Sequence, residues 1–441
     1  MRKCLTPLLL FVISMASGQH LTTIDSLMLS ASFEEVLTAI SRLEQAGPPR
    51  EKRILLDNKR VEALIHLGRF EDAEKILNEQ SGTDNSFFQA IRLSNSGLLY
   101  MHQGRFDLAE KSLLEAIRQF EADGNQASLE AAQAISYLGL VYNASGNYSR
   151  AQEQLSMALN IREKIVKGNH ELIAASYNDL GLAYANIDND KALDFYERAL
   201  KIYEAIHGKE HPKIAIASIN NGLIYRKLQL YGDAVNNFET ALKIWEKIYP
   251  NAHPAKAFAL MNLGETYLVM GNPKASRGYY ERALDLFRQS YGEKHPDIAQ
   301  VLNALGNIEL AANKYDAALQ RYQQAIIANV NNFQSLVETT NPPLDNFYNG
   351  YVLLYSLLYK AEAFERRYTG RSLRLKDLLH SLQTLQHCDS LIDNLRQQTS
   401  NESDKIALGA FKGFGKEARP GIGGFAKDVA ERGVKTGLKE T

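Results

Sequence analysis

An all-α protein built as a solenoid of antiparallel helix pairs is what this sequence predicts, on three observations. A glycine followed three residues later by a tyrosine recurs as Gly97 with Tyr100, Gly139 with Tyr142, Gly181 with Tyr184, Gly222 with Tyr225 and Gly264 with Tyr267, and Gly306 with Glu309 closes the series. These glycines stand 42, 42, 41, 42 and 42 residues apart, and a constant period of about 20 to 50 residues marks a stacked-repeat chain. Around each glycine, apolar residues fall at helical spacing on two successive stretches joined by a short polar turn.

The chain opens with MRK, then the apolar stretch LTPLLLFVISM, then Ala16-Ser17-Gly18. A basic start, a core too short to span a bilayer and small residues at the cleavage position predict a signal peptide over 1–18, leaving Gln19 first and the protein exported, periplasmic or extracellular. Cys4 would leave with that segment, so Cys388 has no disulfide partner within the chain. Residues 19–85 are expected to form an N-terminal helical cap, with Ser32 and Glu35 as a capping box. Within the cap, Gly68, Arg69, Phe70 and Ala73 echo Gly104, Arg105, Phe106 and Ala109, a degenerate repeat ahead of the regular ones.

Six units then cover 86–329. In the third, Leu180, Gly181 and Tyr184 share one stripe, and Ala192, Tyr196 and Ala199 share the next. Gly181 and Ala192 are placed where two helices cross, because a larger side chain would force them beyond the usual interaxial spacing of about 8 to 10 Å. The single short step is a deletion in the intervening turn, which preserves helical register. These residues resemble the tetratricopeptide repeat, in the longer 42-residue form found in kinesin light chains and many bacterial proteins. The resemblance includes the connectors GKEHPKIA (208–215), NAHPAKA (251–257) and GEKHPDIA (292–299), with a looser copy at Gly168. It implies a right-handed superhelix whose first helices line a concave wall, and a scaffold role without catalysis. Export counts strongly against a cytoskeletal motor light chain.

After Pro342-Pro343, helical stretches are expected at 344–368 and 371–398, a long hairpin within 330–404 broken at Thr369-Gly370. From Lys405 eight of the last 37 residues are glycine and eight are basic against four acidic, so 405–441 reads as a flexible tail with a short helix at 425–432. Signal, array and hairpin together resemble the front of secreted bacterial proteins that end in a CHAT domain, a caspase-like cysteine peptidase. That resemblance implies an alternative function, the regulatory part of such a peptidase.

The net charge of −1 offers no footprint for nucleic acid, and no other segment approaches a membrane span. Cys388, His387 and His380 are the only thiol–imidazole group, but neighbours on a helix point about 100° apart, which disfavours catalysis. His170, His211, His253 and His295 lie one repeat apart, too far to share a metal, and are expected to cap or pack the following helix, with Pro212, Pro254 and Pro296 in its first turn. No cofactor or metal is predicted. Binding is placed on the first helices, two residues before the glycines, where Asn95, Asn220 and Asn262 stand and Tyr137, Asp179 and Ala304 depart. Asn178 and Asn303 lie one residue earlier. In kinesin light chains asparagines at these positions hold an extended peptide by its backbone, since an amide both donates and accepts. The other role open to them is hydrogen bonding between helices of the stack. Leu98, Leu140, Leu182 and Leu223 follow on the same wall. No basic clamp for a chain terminus recurs there, so the expected partner is a polypeptide gripped along its length, or this chain's own tail or N-terminal segment.

Overall fold

The computed structural model describes residues 33–79 and 85–398, together with Ile24 and Met28. The signal segment 1–18, Ser32 of the capping box and the tail 405–441 lie outside the described residues. Regular structure among these residues is helical throughout apart from one isolated bridge, Val330 with Phe347. The chain falls into two compact units divided after Leu228.

The first unit holds α1 (Phe33–Gln45), α2 (Arg50–His66), α3 (Phe70–Glu79), α4 (Ser86–His102), α5 (Phe106–Ala122), α6 (Leu129–Ala144), α7 (Tyr148–Ile165), α8 (Glu171–Tyr184), α9 (Asn189–His207) and α10 (Pro212–Lys227). Hairpins α4/α5, α6/α7 and α8/α9 stack so that each first helix lies beside the next: α2 packs on α4, α4 on α6 and α6 on α8. The comb glycines sit inside these hairpins. A Cβ built on Gly97 would stand 2.4 Å from Leu113 Cγ, on Gly139 2.6 Å from Leu155 Cγ, and on Gly181 2.6 Å from the Tyr196 ring. Glycine is required here by close approach of the second helix.

The same hairpins explain the short step. The turn after α4 bends through Gly104 at φ +73°, with Arg105 N–H bonded to Tyr100 O at 2.8 Å, and the turn after α6 bends through Gly146 at φ +80°. After α8 no residue has positive φ; Asp188 N–H returns directly to Tyr184 O at 2.8 Å. The deletion has removed the left-handed residue and left both helices intact.

The second unit holds α11 (Tyr231–Ile248), α12 (Pro254–Val269), α13 (Pro273–Tyr291), α14 (Pro296–Ala311), α15 (Tyr315–Asn329), α16 (Gly350–Arg367) and α17 (Leu375–Gln398). Gly264 meets Tyr280 and Gly306 meets Tyr322 as in the first unit. Glu309 keeps the role of the tyrosine it replaces. In the first unit Tyr142 Oη donates to Glu110, 32 residues earlier on the preceding hairpin, at 2.8 Å. Glu309 Oε1 accepts from Arg277, also 32 residues earlier, at 2.5 Å. The bond survives with donor and acceptor exchanged.

Helix α16 begins at Gly350, six residues later than the sequence suggests, because residues 331–349 run as an extended strap. The strap is held largely by its carbonyl oxygens. Lys294 Nζ donates to Ile327, Val330 and Phe333 O at 2.6, 2.7 and 2.8 Å. Gln323 Nε2 donates to Ser335 O at 2.7 Å, and His387 Nε2 to Pro342 O at 2.6 Å. Between α16 and α17 a π-turn at Tyr368–Ser372 ends at Leu373, whose φ of 47° delays α17 to Leu375.

Candidate functional site

The connector histidines are helix caps. Nδ1 of His170, His211, His253 and His295 accepts the N–H two residues on, at 3.1 or 3.2 Å. Three of the rings stack on the residue four before: His207 on His211 at 3.9 Å, Tyr249 on His253 at 3.5 Å and Tyr291 on His295 at 3.8 Å. No group of three or more metal-ligating side chains is assembled among the described residues. Cys388 is 1% exposed and burial pushes its thiol up to about 12, so it is a protonated core group. His387 faces the strap.

The five asparagines divide by environment. Asn95 on α4 is buried and its Nδ2 lies 3.2 Å from Asn58 O and 3.3 Å from Asn58 Oδ1 on α2. Asn303 on α14 is buried and donates to Ser356 Oγ on α16 at 2.8 Å. Asn220 on α10 donates to Asn178 Oδ1 on α8 at 2.8 Å, and both are only half-buried. Asn262 on α12 donates to Phe258 O of its own helix at 2.9 Å. An amide has two donor and two acceptor positions, so the half-buried Asn178–Asn220 pair keeps capacity for a ligand.

In the first unit, the departures from the asparagine column are what build a site. Tyr137 on α6 donates to Glu62 Oε1 on α2 at 2.9 Å, past the intervening α4. Side chains two helices apart meet only where the layer curls towards them, so this face of α2, α4, α6 and α8 is the inner wall. Ser136 donates to Asp179 Oδ2 on α8 at 3.0 Å. Arg162, 2% exposed, reaches in from α7 to Ser176 Oγ at 2.6 Å and Gln133 Oε1 at 2.8 Å. Burial raises Asp179, opposed chiefly by the Arg162 charge. Burial also raises Tyr137 well above the usual phenol range, and the Glu62 charge adds to it. Lys213 on α10 is lowered by burial against the pull of Glu171 and Asp179, and its charge in turn lowers His66 on α2, behind the larger effect of burial there.

Three residues after Asp179 on α8 and after Lys213 on α10, Leu182 and Ile216 are open to solvent, 42% and 44% exposed. Leu98 is buried, and Leu140 and Leu223 are half-buried. A wall that exposes apolar side chains beside convergent polar groups can hold a ligand by both kinds of contact. Arg162 was legible in the sequence as the one charged residue in the column Phe120, Arg162, Tyr203, Trp245, Phe287 and Asn329.

Comparison with known proteins accords with this architecture. A profile described as tetratricopeptide repeat matches residues 89–164, 130–205, 172–247, 213–277 and 256–326, which together exceed half the chain. The chain is 26% identical over 129 residues to Protein KINESIN LIGHT CHAIN-RELATED 1 of Arabidopsis thaliana, covering 29% of this chain and 21% of that protein. It is 27% identical over 174 residues to Regulatory protein RapG of Bacillus subtilis (strain 168), covering 38% and 46%. It thus spans less than half of either relative. Among solved structures, a Rap protein complexed with Competence and Sporulation Factor aligns over 88% of this chain and 100% of its own, at TM-score 0.55 and 15% identity. The apo form of the quorum sensor NprR from B. thuringiensis aligns over 86% and 99%, at TM-score 0.58 and 15% identity. Both likenesses concern the fold, and on the profile match this chain belongs to the tetratricopeptide repeat family.

Proposed function

We propose that the protein is an exported, non-catalytic scaffold that binds an extended polypeptide along the inner wall of its first unit. The observation that carries this reading is the polar group of Glu62, Tyr137, Arg162 and Asp179, with Tyr137 and Arg162 buried, on a face whose helices also carry the solvent-exposed Leu182 and Ile216. A stack that needed only to pack would fill these columns with apolar residues, since burying charge costs several kcal/mol per ion. That a Rap protein of the same fold was solved with Competence and Sporulation Factor bound is consistent with ligand capture by such a stack. The export part of the reading is supported by the order of charge, apolar core and small residues over 1–18.

Leu182→Asp with Ile216→Asp tests the wall. Both side chains are exposed, so thermal stability should stay within about 0.5 kcal/mol for each. Retention of random-sequence heptapeptides on the immobilised protein should fall about tenfold. Unchanged retention would move the binding surface elsewhere.

A further inference from the structure

The geometry points to a covalent bond that this chain makes with itself, an amide between Lys360 Nζ on α16 and the side-chain carbonyl carbon of Asn341 in the strap. Lys360 is fully buried, and its neighbours on the same helix face, Leu357 and Phe364, are buried with it. Its Nζ lies 2.8 Å from Gln323 Oε1, 2.9 Å from Thr340 O and 3.1 Å from Asn341 Oδ1. The charged ammonium has a donor for each oxygen; the neutral amine keeps two donors and gains a lone pair. With both donors on the two nearer oxygens, the lone pair is left on the side of the third partner, the Asn341 carboxamide. A desolvated lysine amine is a nucleophile. Burial lowers Lys360 to about 7, so the neutral form is present near neutral pH. The titratable groups that face it are Glu338 of the strap and Cys388 and His387 of α17, while α15 presents the uncharged Gln323.

Asn341 is held still on both sides. Gln323 Nε2 and Lys360 Nζ both reach Thr340 O before it, and His387 Nε2 takes Pro342 O after it at 2.6 Å. Thr384 Oγ1 lies 3.5 Å from Asn341 Oδ1 and 2.8 Å from His380 O, so its one proton can turn to the oxygen on which charge develops. An asparagine amide is ordinarily lost by attack of the next backbone nitrogen. Pro342 closes that route, because its nitrogen carries no hydrogen. In the step itself Nζ forms a bond to Cγ, the Cγ–Nδ2 bond breaks, and one Nζ proton leaves with Nδ2 as ammonia. No oxidant or co-reactant enters the balance. Two groups held in contact replace a bimolecular encounter, which is what lets an amine displace an amide here. Until the bond forms the amine is free to titrate; once formed, it closes the loop from 341 to 360 and ties the strap to α16.

The test is a mass map of the full chain, kept folded for a week at pH 6 and at pH 8.5, then denatured and cut with trypsin. No Lys or Arg lies between Arg321 and Lys360, so a free Lys360 yields the peptide 322–360. A joined lysine resists trypsin. The expected product is 322–366, lighter than its sequence mass by one ammonia and without fragment ions from inside 341–360. It should accumulate about tenfold faster at pH 8.5 than at pH 6, because the neutral fraction of Lys360 rises as pH passes through about 7. Asn341→Ala removes the electrophile and should give 322–360 at full mass under both conditions, with circular dichroism checking that the variant is folded. Complete cleavage after Lys360 in the natural sequence at both pH values overturns the bond. So does an ammonia loss that maps to Asn349-Gly350 with Lys360 still cleaved, or one that survives Asn341→Ala.

Discussion

Single residues in this protein do the work of joining hairpins, and the most exacting of them is Lys360. It is fully buried, and its Nζ donates to Gln323 Oε1 at 2.8 Å, Thr340 O at 2.9 Å and Asn341 Oδ1 at 3.1 Å, so it ties α16 to both α15 and the strap. Burial lowers its pKa to about 7, against the pull of Glu338 and Cys388, while His387 also feels its charge. The folded value is thus below the ordinary lysine value of 10.5. Between the two, the unfolded chain binds a proton that the folded chain does not, so stability from this group rises with pH from about 7 to about 10.5. Lys360→Met should flatten that rise, which thermal melts at pH 7, 8.5 and 10 would measure as a difference between the two proteins. Parallel curves would mean that Lys360 is charged in the fold. Other joints were plainer in the sequence. The comb glycines were legible because close approach tolerates no Cβ; the Glu309 exchange was not read, although Arg277 stands in the same column as Glu110. Lys360 was not legible, because two of its three partners, Thr340 and Asn341, lie in a strap without any period.

Four of the described helices are started by histidine, beside the usual short polar caps such as Asn85, Ser128 and Asp188. His253 caps α12 with Nδ1 and stacks on Tyr249, while Pro254 supplies the first helical φ. A cap that accepts through Nδ1 requires that nitrogen unprotonated. Burial lowers His253, helped by the Lys256 charge, and burial lowers His211, helped by His207. Since the folded values fall below the unfolded value, this contribution is complete above about pH 6.5 and is lost as pH falls through the folded values. His253→Ala should cost about 1 kcal/mol at pH 7.5 and much less at pH 5, measured by urea unfolding. His253→Asn should restore the cap and remove its pH dependence. An equal cost at both pH values would assign the effect to ring stacking. The capping role was readable from the repeated His-Pro pair, whereas the start of α16 was not. Its apolar run already looks helical from Leu344, and side chains distant in sequence, among them Lys294, Gln323, Lys360 and His387, hold 331–349 extended.

Across the whole chain, each hairpin buries its face against its neighbours, so stability in such stacks is close to a sum of local terms. That makes a repeat removable, and the connectors mark where. Deleting 171–211 joins His170 to Pro212, and deleting 254–295 joins His253 to Pro296; each removes one period and restores a His-Pro connector. Both proteins should remain folded, with circular dichroism showing helix reduced by about the share of residues removed. Their binding should differ. The first deletion takes Ser176, Asn178, Asp179 and Tyr203 and leaves Arg162 and Lys213 without the groups that position them. The second removes only residues of the second unit. Peptide retention should therefore vanish with the first deletion and persist with the second. Loss in both would mean that binding depends on the full length of the stack, and loss only with the second would transfer the site to the unit that carries Asn262, Asn303 and the strap.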